Sequence, residues 1–250
     1  MIPQGCIMLD FTQITDVIQG RDCQLTVVPG PSCADPASGG CAAADPAVLL
    51  IEPVDRRDLD FLGREVDFLR ERAGCGFALA TFVVEDWNGE LSPWKADPVF
   101  GKEAFGEGAA ETLRFIEEAL IPAVQAWIPA LKGRQAVLGG YSLAALFALW
   151  AGYVSPRFSG IAAASPSVWF PGWMAFAGAR RPRAERIYLS LGDAEERTRN
   201  RVMATVGDCI REMDALLAGF PHTLEWNPGN HFKDADLRTA KAFLWCLQRM

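Results

Sequence analysis

Histidine is scarce in this chain, and its cysteines show no metal-binding spacing. Only two histidines occur among 250 residues, and the seven cysteines are scattered, odd in number and without a CxxC pair. Cys33 and Cys41 are the closest two, but no histidine flanks them, so a set of zinc ligands is missing. We therefore expect reduced thiols and no metal site.

Long hydrophobic runs and an excess of positive charge are also absent. No segment approaches the roughly 18 to 20 consecutive apolar residues that a membrane span needs, and residues 1–5 carry no basic start of a signal peptide. The 24 Lys and Arg residues are outnumbered by 31 Asp and Glu, which leaves a net charge of -7 that does not attract phosphate backbones. These features predict a cytoplasmic protein that binds neither a membrane nor nucleic acid.

From residue 47 onward, short apolar runs alternate with longer segments of helical periodicity. Residues 77–84 are uniformly apolar, as expected for a strand that is covered on both faces. Further strands are predicted at residues 47–51, 135–138, 160–164, 186–191 and 222–226. Repeated strand and helix units of this length predict the α/β class, with an open, doubly wound and mostly parallel sheet.

The first 46 residues follow a different pattern. Residues 14–18 and 24–28 flank a turn sequence and predict an antiparallel hairpin at one edge of the sheet. Residues 29–46 are rich in Pro, Gly, Ser and Ala and contain no large hydrophobic residue, so we expect a flexible loop. No later segment reads as a linker, and residues 1–250 are predicted to form one domain.

A possible nucleophile lies where the strand at 135–138 meets an apolar helix. The sequence there is G-Y-S-L-A, centred on Ser142. A serine on a sharp turn between strand and helix needs small residues two positions away on each side, and Gly140 and Ala144 satisfy this. The alternative is that Ser142 only caps the helix, but its setting between a buried strand and an apolar helix favours a nucleophile.

A serine nucleophile needs a base, and only two histidines are available. His222 opens the last predicted strand, where a structural role is expected. His231 lies in a turn-rich loop between that strand and the last helix, where it can reach over the carboxyl edge of the sheet. The order serine, acid, histidine along the chain favours His231 as the base.

The acid is expected after the strand at 186–191, where three carboxylates compete. Glu195 lies far enough from the turn glycine to lean towards His231, with Asp193 as the second choice and Glu196 as a further possibility. Acidic residues just before a helix are also favoured by its dipole, so the other two are expected to be structural.

An oxyanion hole needs two backbone N–H groups that point at the developing negative charge. Leu143, which follows the nucleophile, is expected to supply one of them. The second is expected from the segment after the strand at 47–51. Pro53 has no N–H, which leaves Val54 as our choice and Asp55 as the alternative.

Three further segments carry a resemblance to a known family. Residues 164–170 read ASPSVWF, residues 90–93 read ELSP and residues 115–122 read FIEEALIP. Together with the elbow, they resemble the putative esterase family of α/β-hydrolases, which includes siderophore esterases, S-formylglutathione hydrolases and feruloyl esterases. The resemblance covers roughly residues 82–240 and implies the α/β-hydrolase fold.

By this resemblance, Ser142 matches the nucleophile, His231 the base and Glu195 the acid of the family. The chain departs from the family at three sites. The usual HG after the third strand is Glu52-Pro53 here, the SxGG of the elbow is SLAA at residues 142–145, and an arginine of siderophore esterases is replaced by Trp87. The lid segment between the strands at 160–164 and 186–191 holds only about twenty residues, which predicts a minimal lid.

Two hypotheses for the function follow from these residues. The first is a serine hydrolase that cleaves a small-molecule carboxylic ester through an acyl-serine intermediate, without metal or cofactor. Trp87, Trp94 and Trp169 are then expected to wall an apolar pocket for the substrate, unless they are core residues. The second is a catalytically silent protein of the same fold that binds a ligand or a partner.

Overall fold

The protein is a doubly wound α/β structure. A computed structural model describes residues 11–31, 44–99 and 101–250. Within these residues, eight strands form one sheet in the order β1-β2-β4-β3-β5-β6-β7-β8. Their bounds are β1 Thr12–Ile18, β2 Arg21–Val28, β3 Val48–Val54, β4 Phe77–Val83, β5 Gln135–Tyr141, β6 Gly160–Ala164, β7 Arg186–Gly192 and β8 His222–Asn227. The six strands β3 to β8 run parallel, which confirms the predicted fold class.

The predicted hairpin at the edge of the sheet is confirmed. Strands β1 and β2 pair antiparallel, with Ile18 opposite Arg21, and β2 pairs antiparallel with β4. Gln19 and Gly20 form the connection, and both have positive φ, at 48° and 83°. This backbone geometry matches the twist of two antiparallel strands. Most of the predicted flexible loop, residues 32–43, lies outside the described residues.

Helices cover both faces of the sheet and bury its apolar strands. The helices are α1 Leu62–Arg72, α2 Trp87–Leu91, α3 Ala109–Phe115, α4 Ile121–Trp127, α5 Leu143–Val154, α6 Trp173–Gly178, α7 Val206–Leu216 and α8 Ala235–Leu247. Helices α1 and α8 pack on one face, with Val66, Leu69 and Phe243 buried there. Helices α3 to α7 pack on the other face. Apolar side chains therefore cover both faces of the central strands.

Several strands extend further towards their carboxyl ends than the sequence predicted. Strand β3 continues through Glu52, Pro53 and Val54, which the prediction treated as a loop. Pairing of β3 with β5 stops at Ile51, whereas its pairing with β4 continues to Val54. A proline is tolerated on a strand where its missing N–H faces no neighbouring strand. Pro53 lies beyond the last pair with β5, so the strand runs through it.

The helical segment at 109–127 does not end at Pro122. Helix α3 passes into one π-helical turn, Ile116–Leu120, and α4 begins directly after it. Pro122 lies in the first turn of α4, where a missing N–H costs least. The π turn absorbs the change in hydrogen bonding that the proline imposes.

The lid segment between β6 and β7 is small, as predicted. Its one short helix, α6, packs against the core, because Phe170 and Trp173 are almost fully buried. Trp173 stacks on Phe176 and meets Tyr153 edge to face. The aromatic residues of this segment therefore serve mainly as core, and Trp169 is the one that lines a cavity beside Ser142.

Candidate active site

Ser142 occupies the sharp turn between β5 and α5. Its backbone has φ 59° and ψ -116°, a conformation that is strained for a residue with a side chain. A Cβ on Gly140 would lie 2.7 Å from the Cβ of Ala144, so only glycine fits two positions before the serine. Although Ser142 stands at the N-cap position of α5, its side chain makes no capping hydrogen bond. The hydroxyl instead faces the loop after β8.

His231 lies on that loop and meets Ser142 directly. Its Nε2 is 3.0 Å from the Oγ of Ser142. The hydroxyl of Tyr141 donates a hydrogen bond to the carbonyl oxygen of His231 at 2.7 Å, which fixes the loop against the end of β5. The hydroxyl of Ser167 lies 3.3 Å from that of Ser142 on the other side. This arrangement allows the imidazole to take a proton from the serine.

The carboxylate of Glu195 lies behind His231. Its Oε2 is 2.7 Å from Nδ1 of His231, and its Oε1 accepts hydrogen bonds from the Ser165 hydroxyl at 2.8 Å and the Gly192 N–H at 2.7 Å. Burial acts to raise the pKa of Glu195, but these hydrogen bonds outweigh burial and hold the pKa below its usual value. Glu195 is therefore ionised and oriented at neutral pH.

The competing candidates have other partners. Asp193 is exposed, and its carboxylate accepts the N–H of Gly229 at 2.8 Å. Glu196 pairs with Arg211 at 3.2 Å. The other histidine, His222, contacts the Asp214 carboxylate at 3.0 Å, away from Ser142. Of the three acids after β7, the fold brings only Glu195 to His231.

Arg238, on α8, was missed by the sequence analysis. It is 2% exposed, and its Nη1 donates to Oε1 of Glu195 at 2.8 Å. Its Nη2 donates to the carbonyl oxygens of Pro228 and Asn230 at 3.2 and 3.1 Å. The guanidinium of Arg238 therefore fixes both Glu195 and the loop that carries His231. A single sequence carries no signal for this, because a charged residue in an amphipathic helix is normally expected to face solvent.

The two predicted oxyanion donors differ, because Leu143 lies beside Ser142 whereas the N–H of Val54 points away from it. Leu143 is the first residue of α5, where N–H groups have no partner within the helix, and it lines a cavity next to Ser142. Val54 points elsewhere, since its carbonyl oxygen accepts the N–H of Val84 at 3.0 Å. The N–H and C=O of one residue in a strand point to the same side, so the N–H of Val54 faces β4. Asp55, the alternative, continues the extended backbone and directs its N–H to the opposite side, towards β5.

Two cavities meet at Ser142 and His231. Trp87 lines both of them, and Trp169 lines the smaller one, of about 740 Å³. Trp94 lines neither cavity. Its ring packs between Phe170 and Phe176, and its indole N–H donates to the carbonyl oxygen of Pro171 at 2.8 Å. Trp94 is thus a packing residue of the short lid segment, which corrects its prediction as a pocket wall.

The described residues contain neither a cluster of metal ligands nor a membrane-spanning helix. Over residues 11–31, 44–99 and 101–250, no group of three or more His, Cys, Asp or Glu side chains is arranged to hold a metal ion. Within the same ranges, no helix is both long and apolar enough to cross a membrane. Cys23, Cys75, Cys209 and Cys246 are free thiols, whereas Cys6, Cys33 and Cys41 lie outside the described residues.

The sheet order, the strained serine turn and the histidine loop after β8 define the class of α/β-hydrolase folds. The sequence model of the putative esterase family matches residues 77–218, more than half of the chain. The chain therefore belongs to the putative esterase family, which confirms the resemblance and makes it a carboxylic ester hydrolase by class. No curated protein matches the chain.

Solved structures of the same fold are distant in sequence. An IroE-like serine hydrolase from Shewanella oneidensis is 13% identical, with a TM-score of 0.71 over 96% of this chain and 80% of that chain. The siderophore hydrolase EstB from Aspergillus nidulans is 19% identical, with a TM-score of 0.70 over 98% and 96%. The siderophore hydrolase EstA from the same organism is 20% identical, with a TM-score of 0.66 over 100% and 98%. At these identities, the similarity establishes the shared fold.

Proposed function

We propose that the protein hydrolyses a small-molecule carboxylic ester, with Ser142 as nucleophile, His231 as general base and Glu195 as the acid that orients it. The observation that carries this proposal is the continuous chain of contacts from Oε2 of Glu195 to Nδ1 of His231 at 2.7 Å and from Nε2 to Oγ of Ser142 at 3.0 Å. A serine hydroxyl is a weak nucleophile until a base takes its proton.

In the first half of the reaction, Oγ of Ser142 attacks the ester carbonyl carbon while Nε2 of His231 takes the hydroxyl proton. The negative charge develops on the former carbonyl oxygen, and we assign the N–H groups of Leu143 and Asp55 to stabilise it. Collapse of the tetrahedral intermediate breaks the bond to the alcohol, which leaves with the proton from His231. The product of this half is an acyl-Ser142 enzyme.

The second half repeats the same steps with water. His231 takes a proton from water as the oxygen attacks the acyl carbon, and the second tetrahedral intermediate expels Oγ of Ser142, which regains its proton from His231. One ester and one water thus give one carboxylic acid and one alcohol. The charge on Glu195 stabilises the imidazolium that forms in both halves.

The first test is covalent labelling with a fluorophosphonate, followed by mass-spectrometric mapping of the modified residue. We expect the label on Ser142, and we expect Ser142→Ala to lose both labelling and ester cleavage while it melts at nearly the same temperature. Ser159→Ala is the matched control, since it removes a buried hydroxyl that donates to the carbonyl oxygen of Ala136 at 3.2 Å, at the opposite end of the sheet from Ser142. A folded protein that is not labelled, or one that is labelled at another serine, contradicts the proposal and favours a catalytically silent binding protein.

A further inference from the structure

The hydroxyl of Ser167 lies beside the nucleophile but has no part in the proposed steps. Its Oγ is 3.3 Å from Oγ of Ser142, and it has no other hydrogen-bond partner among the described residues. Ser167 is 3% exposed and lines the smaller cavity together with Ser142 and Leu143. A buried hydroxyl normally has a hydrogen-bond partner, and the one available to Ser167 is the reacting atom itself.

The backbone after β6 holds this hydroxyl in place. The N–H of Ser167 donates to the carbonyl oxygen of Ser142 at 3.1 Å, and the carbonyl oxygen of Ser167 accepts the N–H of Phe170 at 2.9 Å. Two residues earlier, Ser165 has φ 45°, a conformation that is strained for a residue with a side chain. The hydroxyl of Ser165 donates to Oε1 of Glu195 at 2.8 Å. This strained segment therefore brings one serine to the acid and the other to the nucleophile.

In the contact between the two hydroxyls, Ser167 is the donor. A serine hydroxyl carries one proton, and activation of Ser142 requires that its proton points to Nε2 of His231, 3.0 Å away. Nε2 accepts it, because the proton of the neutral imidazole is on Nδ1, which faces the carboxylate of Glu195 at 2.7 Å. The proton between the two serines therefore belongs to Ser167, and Oγ of Ser142 accepts it.

We propose that Ser167 is a further catalytic residue, whose hydroxyl stabilises the charge on Oγ of Ser142 when the acyl group leaves it. This inference rests on the proposed hydrolysis through an acyl-Ser142 enzyme. In deacylation, water adds to the acyl carbon and gives one proton to His231. The bond between that carbon and Oγ then breaks, its electron pair stays on Oγ, and Oγ takes the proton from His231. Ser167 keeps its own proton throughout and contributes only a hydrogen bond.

This hydrogen bond assists deacylation more than acylation, because Oγ of Ser142 accepts differently in the two starting states. In the free enzyme Oγ is a hydroxyl oxygen, which already accepts the hydrogen bond before the attack. In the acyl-enzyme Oγ is an ester oxygen, a poorer acceptor, and negative charge develops on it only as the bond to carbon breaks. Only an interaction that is stronger in the transition state than in the starting state accelerates a step. The contact of 3.3 Å is long for an O–H···O hydrogen bond and is expected to shorten as the charge develops.

Burst kinetics with 4-nitrophenyl acetate test the two half-reactions separately. The first release of 4-nitrophenolate measures acylation, and the later steady rate measures deacylation. For Ser167→Ala we expect the rate constant of deacylation to fall about tenfold to a hundredfold, the size of one hydrogen bond to a charged group. Both kcat and KM are expected to fall, while kcat/KM stays within about threefold of the wild type. Mass spectrometry of the quenched reaction should find the acetyl group accumulated on Ser142.

A matched pair of variants separates the hydroxyl of Ser167 from the space it fills. Ser167→Thr and Ser167→Val have nearly the same shape, but only threonine keeps the O–H donor. We expect the threonine variant to deacylate at least about tenfold faster than the valine variant, which also tests the inference if Ser167→Ala does not fold. Ser159→Ala, which removes a buried hydroxyl at the opposite end of the sheet, is expected to keep both rate constants. Equal deacylation in the threonine and valine variants overturns the inference.

Fluorophosphonate labelling distinguishes a failure of this inference from a failure of the hydrolysis. The label attaches to Ser142 without a deacylation step, so Ser167→Ala is expected to be labelled at nearly the wild-type rate. If Ser167→Ala deacylates at the wild-type rate, or if its kcat/KM falls as much as its deacylation, the catalytic role of Ser167 is overturned while the hydrolysis at Ser142 stands. A wild-type protein that neither reacts with the fluorophosphonate nor cleaves the ester overturns the hydrolysis, and this inference with it.

Discussion

Ser142 owes its position to a backbone conformation that few residues tolerate. The turn holds the serine at φ 59°, and Gly140 and Ala144 give it the room to do so. The strain is balanced by the packing of α5, almost all of which is buried. At the scale of single residues, the site depends on small neighbours as much as on the reactive groups themselves.

The assignment of the acid is tested by two amide substitutions. We expect Glu195→Gln to lower kcat by about 10³ to 10⁴, because the amide no longer stabilises the imidazolium and favours the wrong tautomer of His231. Asp193→Asn is the matched control. It keeps an oxygen to accept the N–H of Gly229 and is expected to retain most of the activity. Steady-state kinetics on both variants measure the two values of kcat. A larger loss of kcat in Asp193→Asn would identify Asp193 as the acid that orients His231.

At the scale of elements, α8 connects two loops that the chain order keeps apart. Arg238 reaches from the helix to Glu195 after β7 and to the carbonyl oxygens of the loop that carries His231. Its Nη1 also contacts the Tyr141 hydroxyl at 3.1 Å, at the end of β5. Three strand ends thus converge on one buried side chain, which we regard as a positioning residue.

Removing this connection is expected to affect both stability and reactivity. Arg238→Met leaves a buried carboxylate without its cation and should cost about 3 to 5 kcal/mol in the free energy of unfolding. Measured well below the melting temperature, the rate of fluorophosphonate labelling at Ser142 should also fall, since His231 loses its alignment. Arg238→Lys keeps the charge and should restore part of the labelling rate. A folded Arg238→Met protein that is labelled at the wild-type rate would reduce Arg238 to a packing role.

At the scale of the whole molecule, two buried carboxyl groups make the free energy of unfolding depend on pH. They are Glu52 on β3 and Glu65 on α1, which hydrogen-bond to each other. The pKa of Glu52 rises from an ordinary 4.5 to about 8 on folding, so the folded state binds this proton more tightly than the unfolded chain does. Its contribution is complete below about pH 4.5 and is lost as the pH rises towards 8.

Glu52→Gln removes this dependence, because an amide does not ionise. A pKa that rises from 4.5 to about 8 on folding is worth about 3 kcal/mol between pH 5 and pH 8. For a chain of this size, 1 kcal/mol shifts the melting temperature by about 2 to 4 °C, so Glu52→Gln is expected to gain about 6 to 12 °C relative to the wild type over this range. Differential scanning calorimetry at the two pH values measures the gain. Glu212→Gln, on the exposed face of α7, should have the melting temperature of the wild type at both pH values. An equal pH dependence of the melting temperature in Glu52→Gln and in the wild type would contradict a raised pKa in the buried pair.

The sequence by itself determined the fold class, the hairpin, the serine turn and the order of serine, acid and histidine. These depend on local patterns, such as apolar periodicity and small residues around a turn, which are visible within a few neighbouring positions. It also narrowed the acid to three neighbouring carboxylates with Glu195 preferred, since the position after β7 is fixed by chain order.

Only the tertiary structure decided which groups face each other. The direction of the Val54 N–H depends on how β3 pairs with β4, and the packing of Trp94 depends on the short segment after β6. Arg238 and the pair of Glu52 and Glu65 meet their partners across long stretches of chain. From a single sequence, a charged residue is expected to be exposed to solvent. Its burial is known only once the surrounding elements have packed around it.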